Sequence, residues 1–362
     1  MDVATLTPLE KTVRSTPTDL WNDSCSVPEL EYAIRYGAVG ATANPTIVHD
    51  VWKQDPKRWA GRVGELAVAY PAWTEVELAW AIVGEMSAEG AKLLEPVFVE
   101  QGGRKGRLSV QTNPTFWRTH DAMVEQAVGF TELAPNIIVK FPATSVGVRA
   151  MEEATYRGVS VNATVSFSVP QALASGEAIE RGLKRREADG LDVDSMGPVV
   201  TVMMGRIEDW LKVLEARDGI AADPEAIPWS GVAVMKRTAE EFARRGLRAK
   251  PLGAAIRHRL HWTELVGGDV VLSFPHAWWK RFQASGIDPV PRFEEPVEPR
   301  YLDELRRRFP DFERAYEPDG MTPEEFDTFG PSVRTLRSFI ASYHDLLHAV
   351  TDVVLPNPDK KA

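Results

Sequence analysis

Eight short apolar runs, many closing on a polar residue and followed by a stretch of helical pattern, predict an α/β chain closed into a (β/α)8 TIM-type barrel. Several runs are hydrophobic at both alternating positions, as strands of a parallel sheet covered by helices should be. No GxGxxG follows the first run, which argues against an open dinucleotide-binding sheet.

The expected strands cover residues 19–23, 38–44, 107–112, 137–142, 159–166, 198–205, 249–256 and 270–274. Helical patterns lie between them, for example at 122–132, 169–188, 207–216 and 232–244. Residues 47–106 form a stretch too long for a loop and are read as a helical insertion after the second strand. WKQDPKRWAGRV and ELAWAIVGEMSAEGAKLLEPVFVEQ supply its amphipathic faces. After Gly286 the connector PVPRFEEPVEPR leads into a C-terminal helical extension, residues 287–354, with helices expected at 301–314 and 332–353. Residues 355–362 are expected to be disordered. Together these parts are read as one catalytic barrel domain over residues 1–362.

Composition narrows the partners. The 362 residues carry 42 Lys and Arg against 52 Asp and Glu, a net charge of −10, and no basic block of the kind that tracks a phosphodiester backbone. Nucleic acid is therefore not expected as a partner. No run reaches the ~18 apolar residues a membrane span needs, and MDVATLTPLEKTV has no basic segment leading into an apolar core, so a cytoplasmic protein is expected. Cys25, the single cysteine, excludes internal disulfides and cysteine-based metal clusters.

The segment NIIVKFPAT places Lys140 among Ile137, Ile138, Val139 and Phe141, surroundings that penalise an ammonium ion. A free lysine has a pKa near ~10.4, so only about one side chain in a few thousand is a neutral nucleophile at pH 7. Lowering that pKa makes an amine able to attack a ketone carbon. On this segment alone, a lysine snorkelling to water from a strand end explains the pattern as well.

In a barrel, chemistry gathers at the C-terminal ends of the strands. The polar residues closing the runs are Asp23 (LWNDS), Asn44 (GATANP), Gln111 (LSVQTNP), Lys140, the pair Asn162 and Thr164 (VSVNATVSF), Arg206 (VTVMMGR) and Arg257 (GAAIR). Taken singly, Asp23 reads as a turn or helix N-cap, Asn44 as a turn before proline, Thr164 as an ordinary strand residue and the arginines as surface ion-pair partners. Their joint occurrence at successive strand ends is what points to a site.

That set resembles the transaldolase family over residues 20–285. NIIVKFPAT is similar to its Schiff-base lysine strand, GVSVNATVSFSVPQA to the following strand and helix, GATANPTIV to its TTNP-type second strand, MMGRIEDW to its Gly-Arg phosphate loop, and LWNDS to the strand with its catalytic aspartate. The resemblance implies a metal-free class I aldol enzyme needing no cofactor and acting on small-molecule sugar phosphates. Lys140 would form an imine with a ketose, Asp23 would be the general base, Asn44 and Asn162 would hold hydroxyls, Thr164 would position the catalytic water, and Arg206 and Arg257 would grip phosphate. Gln111 departs from the family pattern SxExDP, in which a glutamate works with the threonine on that water, and an amide cannot shuttle a proton. The fructose-6-phosphate aldolase group, which releases dihydroxyacetone, is similar in carrying glutamine there. Thr201 and Ala255 stand where serines of the phosphate region are expected, leaving Thr201 as a candidate substrate contact.

Two alternatives stay open: an aldolase releasing dihydroxyacetone, and a catalytically silent sugar-phosphate-binding member. A metal site at His344 and His348, four apart in HDLLH, is the reading from another class, and a packed covering helix is preferred to it. His258 and His261 are read as a solvated helix face beside Arg259. Trp278 and Trp279 read as packing or as an oligomer contact, which leaves a homo-oligomer open. Gly102 and Gly103 read as a turn, because no GK[ST] follows.

Overall fold

Eight parallel strands close on themselves in the order β1 to β8, with β1 (Asp19–Asn22) hydrogen-bonded to both β2 (Ala38–Thr42) and β8 (Val271–Phe274) in the computed structural model, which describes residues 6–359. The remaining strands are β3 (Arg107–Gln111), β4 (Ile137–Pro142), β5 (Val161–Thr164), β6 (Val199–Met203) and β7 (Lys250–Ala254). This is the (β/α)8 barrel the apolar runs predict. The strands are shorter than those runs at several ends, because the closing residues leave the ladder to begin the next turn or helix. Asp23 lies one residue past β1, Asn44 caps a helix, and Arg206 sits in the first turn of the helix Met204–Asp218.

Side-chain alternation divides the barrel into two environments. Trp21, Ile138, Val199, Leu252, Ala254 and Val271 form a small apolar cluster from alternate strand positions, separate from the main core between sheet and helices. Two positions further along β4, β6 and β8 the same face carries Lys140, Thr201 and Ser273, all buried. The barrel is thus apolar low in its interior and polar toward the C-terminal ends of the strands.

The insertion consists of three helices, Pro45–Gln54, Pro56–Ala69 and Glu75–Glu100. Asp55 separates the first two and accepts from the Arg58 N–H as N-cap; Thr74 and Glu77 form a reciprocal capping box on the third. The C-terminal extension differs from expectation in one respect. The helix expected over 301–314 is split into Pro299–Arg308 and Pro310–Tyr316, since Pro310 has no N–H to continue the ladder and holds Phe309 extended, at φ −125°. The last helix, Gly330–Val354, ends where expected. Of the tail, residues 355–359 are turn and coil, and residues 360–362 lie outside the described residues.

That last helix crosses the mouth of the barrel. Ser332 Oγ accepts from Gln171 Nε2 behind β5 (3.0 Å), Phe339 lies against Arg206 behind β6, Ser342 Oγ meets Thr46 Oγ1 (2.9 Å) behind β2, and Tyr343 packs on Trp80 of the insertion. No helix among the described residues is long and apolar enough to cross a membrane.

Candidate functional site

Lys140 of β4 lies in direct register with Gln111 of β3 and Asn162 of β5, so the three side chains share one level of the barrel interior. Lys140 is 5% exposed. Burial pushes its amine down to about 8, and the charge of Asp23 pulls the other way. At pH 7 about a tenth of such an amine is uncharged, some hundredfold more than for free lysine.

Asp23 is fixed from two sides. Its backbone N–H donates to Phe274 O at 2.9 Å, which ties the end of β1 to β8. Its Oδ1 accepts from Thr42 Oγ1 of β2, a hydroxyl that also lies 3.3 Å from Ser273 Oγ. The carboxylate is therefore steered by hydroxyls, with no lysine paired to it among the described residues.

The amides divide into committed and open groups. Asn162 accepts from Thr201 Oγ1 at 2.8 Å and donates to Ser109 Oγ at 3.0 Å, bridging β3, β5 and β6 inside the barrel. Thr201 thus spends its hydroxyl proton on Asn162. Asn44 uses Oδ1 to cap the helix Pro45–Gln54 through Ile47 N (3.0 Å), which leaves its NH2 group for a ligand. Gln111 is buried, and its Oε1 has no partner among the described residues. An acceptor in that state invites a hydroxyl or water.

Thr164 ends β5 in register with Pro142 and has, among the described residues, only the sulfur of Met203 as hydroxyl partner, at 4.0 Å. Val165 follows in a left-handed conformation, φ 51°, unusual for a β-branched residue. Gln171 holds the turn in place: its Nε2 donates to Val165 O and Ala143 O at 3.2 Å, and its Oε1 accepts from Phe167 N at 3.0 Å. A strained turn fastened this firmly is a common accompaniment of a functional site.

Arg206 and Arg257 come together, and the charge of Arg257 presses on Arg206. Arg206 is half-buried, its Nε has no partner among the described residues, and its guanidinium carbon lies 5.5 Å from the Phe339 ring centre. Burial, then Arg257, holds its pKa below the usual guanidinium range. Arg257 is exposed and forms a two-point ion pair with Asp209, Nη2 to Oδ2 at 2.8 Å and Nε to Oδ1 at 3.3 Å.

Residues 20–326 match the family model described as Transaldolase/Fructose-6-phosphate aldolase. The chain belongs to this family. Relatives include a transaldolase of Acidothermus cellulolyticus, 28% identical over 303 residues that cover 74% of this chain and 77% of the relative. A transaldolase of Thiobacillus denitrificans is 31% identical over 175 residues, 48% of each chain, and Transaldolase 1 of Streptomyces avermitilis is 28% identical over 205 residues, 56% of this chain and 53% of the relative. The chain spans about half the length of the Thiobacillus and Streptomyces relatives.

Within this transaldolase/aldolase chain the structure brings Asp23, Gln111, Lys140, Asn162 and Thr164 to one end of the barrel, with Arg206 and Arg257 beyond them. It also adds a residue that strand-end reasoning does not find. Arg334, on the last helix, donates to Asp209 O at 3.3 Å and adds its charge to that of Arg206. Gly330 permits this docking, since a Cβ there would lie 2.2 Å from the Trp210 ring. Nothing in local spacing signals Arg334, which reaches the site from 128 positions beyond Arg206.

Two expectations about histidines fall differently. His344 and His348 are exposed on the outer side of the last helix, in keeping with a covering helix. The solvated face expected at His258 and His261 is overturned. His261 is fully buried, because both imidazoles turn inward onto Glu208, itself fully buried in the helix Met204–Asp218. Cys25 is buried and its thiol is pushed up to about 12, which makes it inert.

Proposed function

We propose that the protein is a transaldolase-type aldol transferase, with residues 1–362 acting as one cytoplasmic catalytic unit that moves a dihydroxyacetone group between phosphorylated sugars. The observation that carries this reading is Lys140: an enclosed amine with a pKa pulled down to about 8, at the strand end where the family's imine chemistry requires it.

In this reading the neutral amine adds to the C2 ketone of a ketose phosphate and water leaves, forming a protonated imine. Asp23 then takes the proton of the C4 hydroxyl, the C3–C4 bond breaks, and its electron pair moves into the imine to give an enamine on Lys140 while the aldehyde departs. An incoming aldose accepts the enamine carbon, the proton returns from Asp23, and water releases the product. Asn44 and Asn162 hold hydroxyls of the three-carbon unit. Thr164 and the open Gln111 acceptor bind the water that leaves and returns. Arg206, Arg257 and Arg334 meet the phosphate. No step needs a metal or an organic cofactor.

Gln111 favours a second reading, in which the enamine is protonated and free dihydroxyacetone released, because an amide beside Lys140 orients water without carrying its proton. Incubation with fructose 6-phosphate and borohydride, followed by mass analysis of the peptide holding Lys140, tests both. A three-carbon adduct on Lys140 is the expected result, and an unmodified lysine would overturn the imine reading. Product formed only with an acceptor aldose marks transfer, whereas dihydroxyacetone formed without one marks release.

A further inference from the structure

The helix Met204–Asp218 carries two consecutive carboxylates, Glu208 and Asp209, and they hold Arg257 at opposite ends. Asp209 takes the guanidinium. Glu208 reaches the backbone of the same residue through an intermediary: its Oε1 is in ion-pair contact with His261 Nε2, outside hydrogen-bond geometry, and His261 Nδ1 accepts the Arg257 N–H at 3.3 Å. That bond assigns the proton of the neutral ring to Nε2, facing Glu208. His258 Nε2 makes a second contact to Glu208 Oε1 at 2.9 Å, with its ring 4.2 Å from that of His261.

The loop held this way has little freedom of its own. Ala255 adopts φ 60°, and the helix start touches it so closely that a Cβ on Gly205 would lie 2.0 Å from Ala255 O and 2.5 Å from Arg257 Cγ. Arg257 Nη1 folds back onto Ala255 O (3.2 Å) and Ile256 O (3.3 Å). A strained turn beside an exposed arginine needs an anchor, and the buried pair supplies one.

Glu208, His258 and His261 could also be taken for a metal site, since one ligand atom of each lies within 4.8 Å of the others. Glu208 Oε2, His258 Nδ1 and His261 Nε2 have no hydrogen-bond partner among the described residues, but the bond from the Arg257 N–H to His261 Nδ1 opposes a metal. A metal on His261 Nε2 would drive the ring proton to Nδ1, where it would face the Arg257 N–H, donor against donor. The nearby charge of Arg257 opposes a cation as well.

We propose that Glu208 and His261 are positioning residues, a buried carboxylate–imidazole relay that sets the Ala255–Arg257 turn so that the Arg257 guanidinium meets the substrate phosphate. The inference rests on the phosphate role of Arg257 in the proposed function. The groups facing His261 are Glu208, which favours its protonation, and His258 and Arg257, which oppose it; burial outweighs them and holds the ring neutral.

The test compares H261F, which deletes the acceptor for the Arg257 N–H, with H261N, whose amide oxygen can replace it. Three readouts apply: KM for fructose 6-phosphate, thermal stabilisation by inorganic phosphate, and the yield of the borohydride adduct with unphosphorylated dihydroxyacetone. In H261F a rise in KM of about tenfold is expected, the effect of one lost hydrogen bond, together with loss of the phosphate-induced shift in Tm. H261N recovers most of both, and the adduct yield serves as the reference for an intact lysine layer. Equal KM and equal phosphate stabilisation in H261F and the natural protein would overturn the proposal. So would one equivalent of zinc bound by the natural protein and lost in H261F. If H261F does not fold, E208Q and H261N carry the comparison. Absence of any ketose adduct in the natural protein would sink the imine reading alone, because phosphate stabilisation reports on Arg257 independently.

Discussion

The two ends of the barrel each hold an aspartate contributed from β1 or its end and a lysine, buried at one end and half-buried at the other, with opposite outcomes. At the N-terminal end Asp19 accepts from Lys105 at 2.7 Å and Lys250 at 2.9 Å, and Lys250 reaches Asp269 at 2.7 Å, beside a cavity of about 660 Å³. Burial works against the charge of Lys250, yet its two carboxylates outweigh it and its pKa lies above the ordinary value. At the C-terminal end Asp23 is held by a hydroxyl and acts on Lys140 only through its field, so burial prevails and the amine falls to about 8. Direct contact keeps one amine charged; separation leaves the other partly neutral at pH 7.

The sharpest way to break the contrast is K140M. Adduct formation and turnover should fall by on the order of 10⁴-fold or more, as for loss of a covalent nucleophile. The same change should stabilise the fold at neutral pH. Lys140 has a folded pKa near 8 against ~10.4 unfolded, so between those values the unfolded chain binds the extra proton and stability rises with pH. Below pH 8 the deficit is complete, about 3 kcal/mol. Urea melts of K140M should show that gain at pH 7 and a shrinking one toward pH 10.

D23N should lower kcat by about 10²- to 10⁴-fold through loss of proton transfer. Because the Asp23 charge raises the Lys140 pKa, its removal should also shift the rising limb of adduct formation against pH to values below 8. A limb that stays in place would show that the two groups do not sense each other.

At the opposite end, K250M should leave adduct formation unchanged and cost about 1 to 3 kcal/mol in urea unfolding, since Asp19 keeps only Lys105 and Asp269 is left unpaired. The smallest effect expected is that of Q111E. A carboxylate in register with Lys140 should raise transfer relative to release of dihydroxyacetone by about tenfold or less, measured with and without an acceptor aldose.

The barrel and its lysine are legible in the sequence because both are written locally. Short buried runs of four to six residues make the strands, and NIIVKFPAT drives a lysine into one of them; Ile138 shares its side of the sheet, whereas Ile137, Val139 and Phe141 pack with the helices. What escapes is settled by contacts across the chain. Thr201 has the right residue type for a ligand contact but spends its hydroxyl on Asn162, 39 positions away. His261 lies in a charged stretch that looks solvated until Glu208, from the preceding βα unit, draws it inward. Arg334 is an unremarkable helical arginine until Trp210 packs over Gly330. Strand ends were overextended for a related reason: where β6 stops, the backbone of Met204 and Gly205 already turns as helix, a change that apolar side chains do not announce.

The position of the last helix bears on biosynthesis. All eight strands have been made by Phe274, yet the segment that closes over the mouth, Gly330–Val354, begins 56 residues later. A chain emerging from the ribosome in order therefore holds every barrel strand before the helix that covers Lys140 exists. The pocket acquires its roof only once Gly330–Val354 has been made, well after the strands that line it.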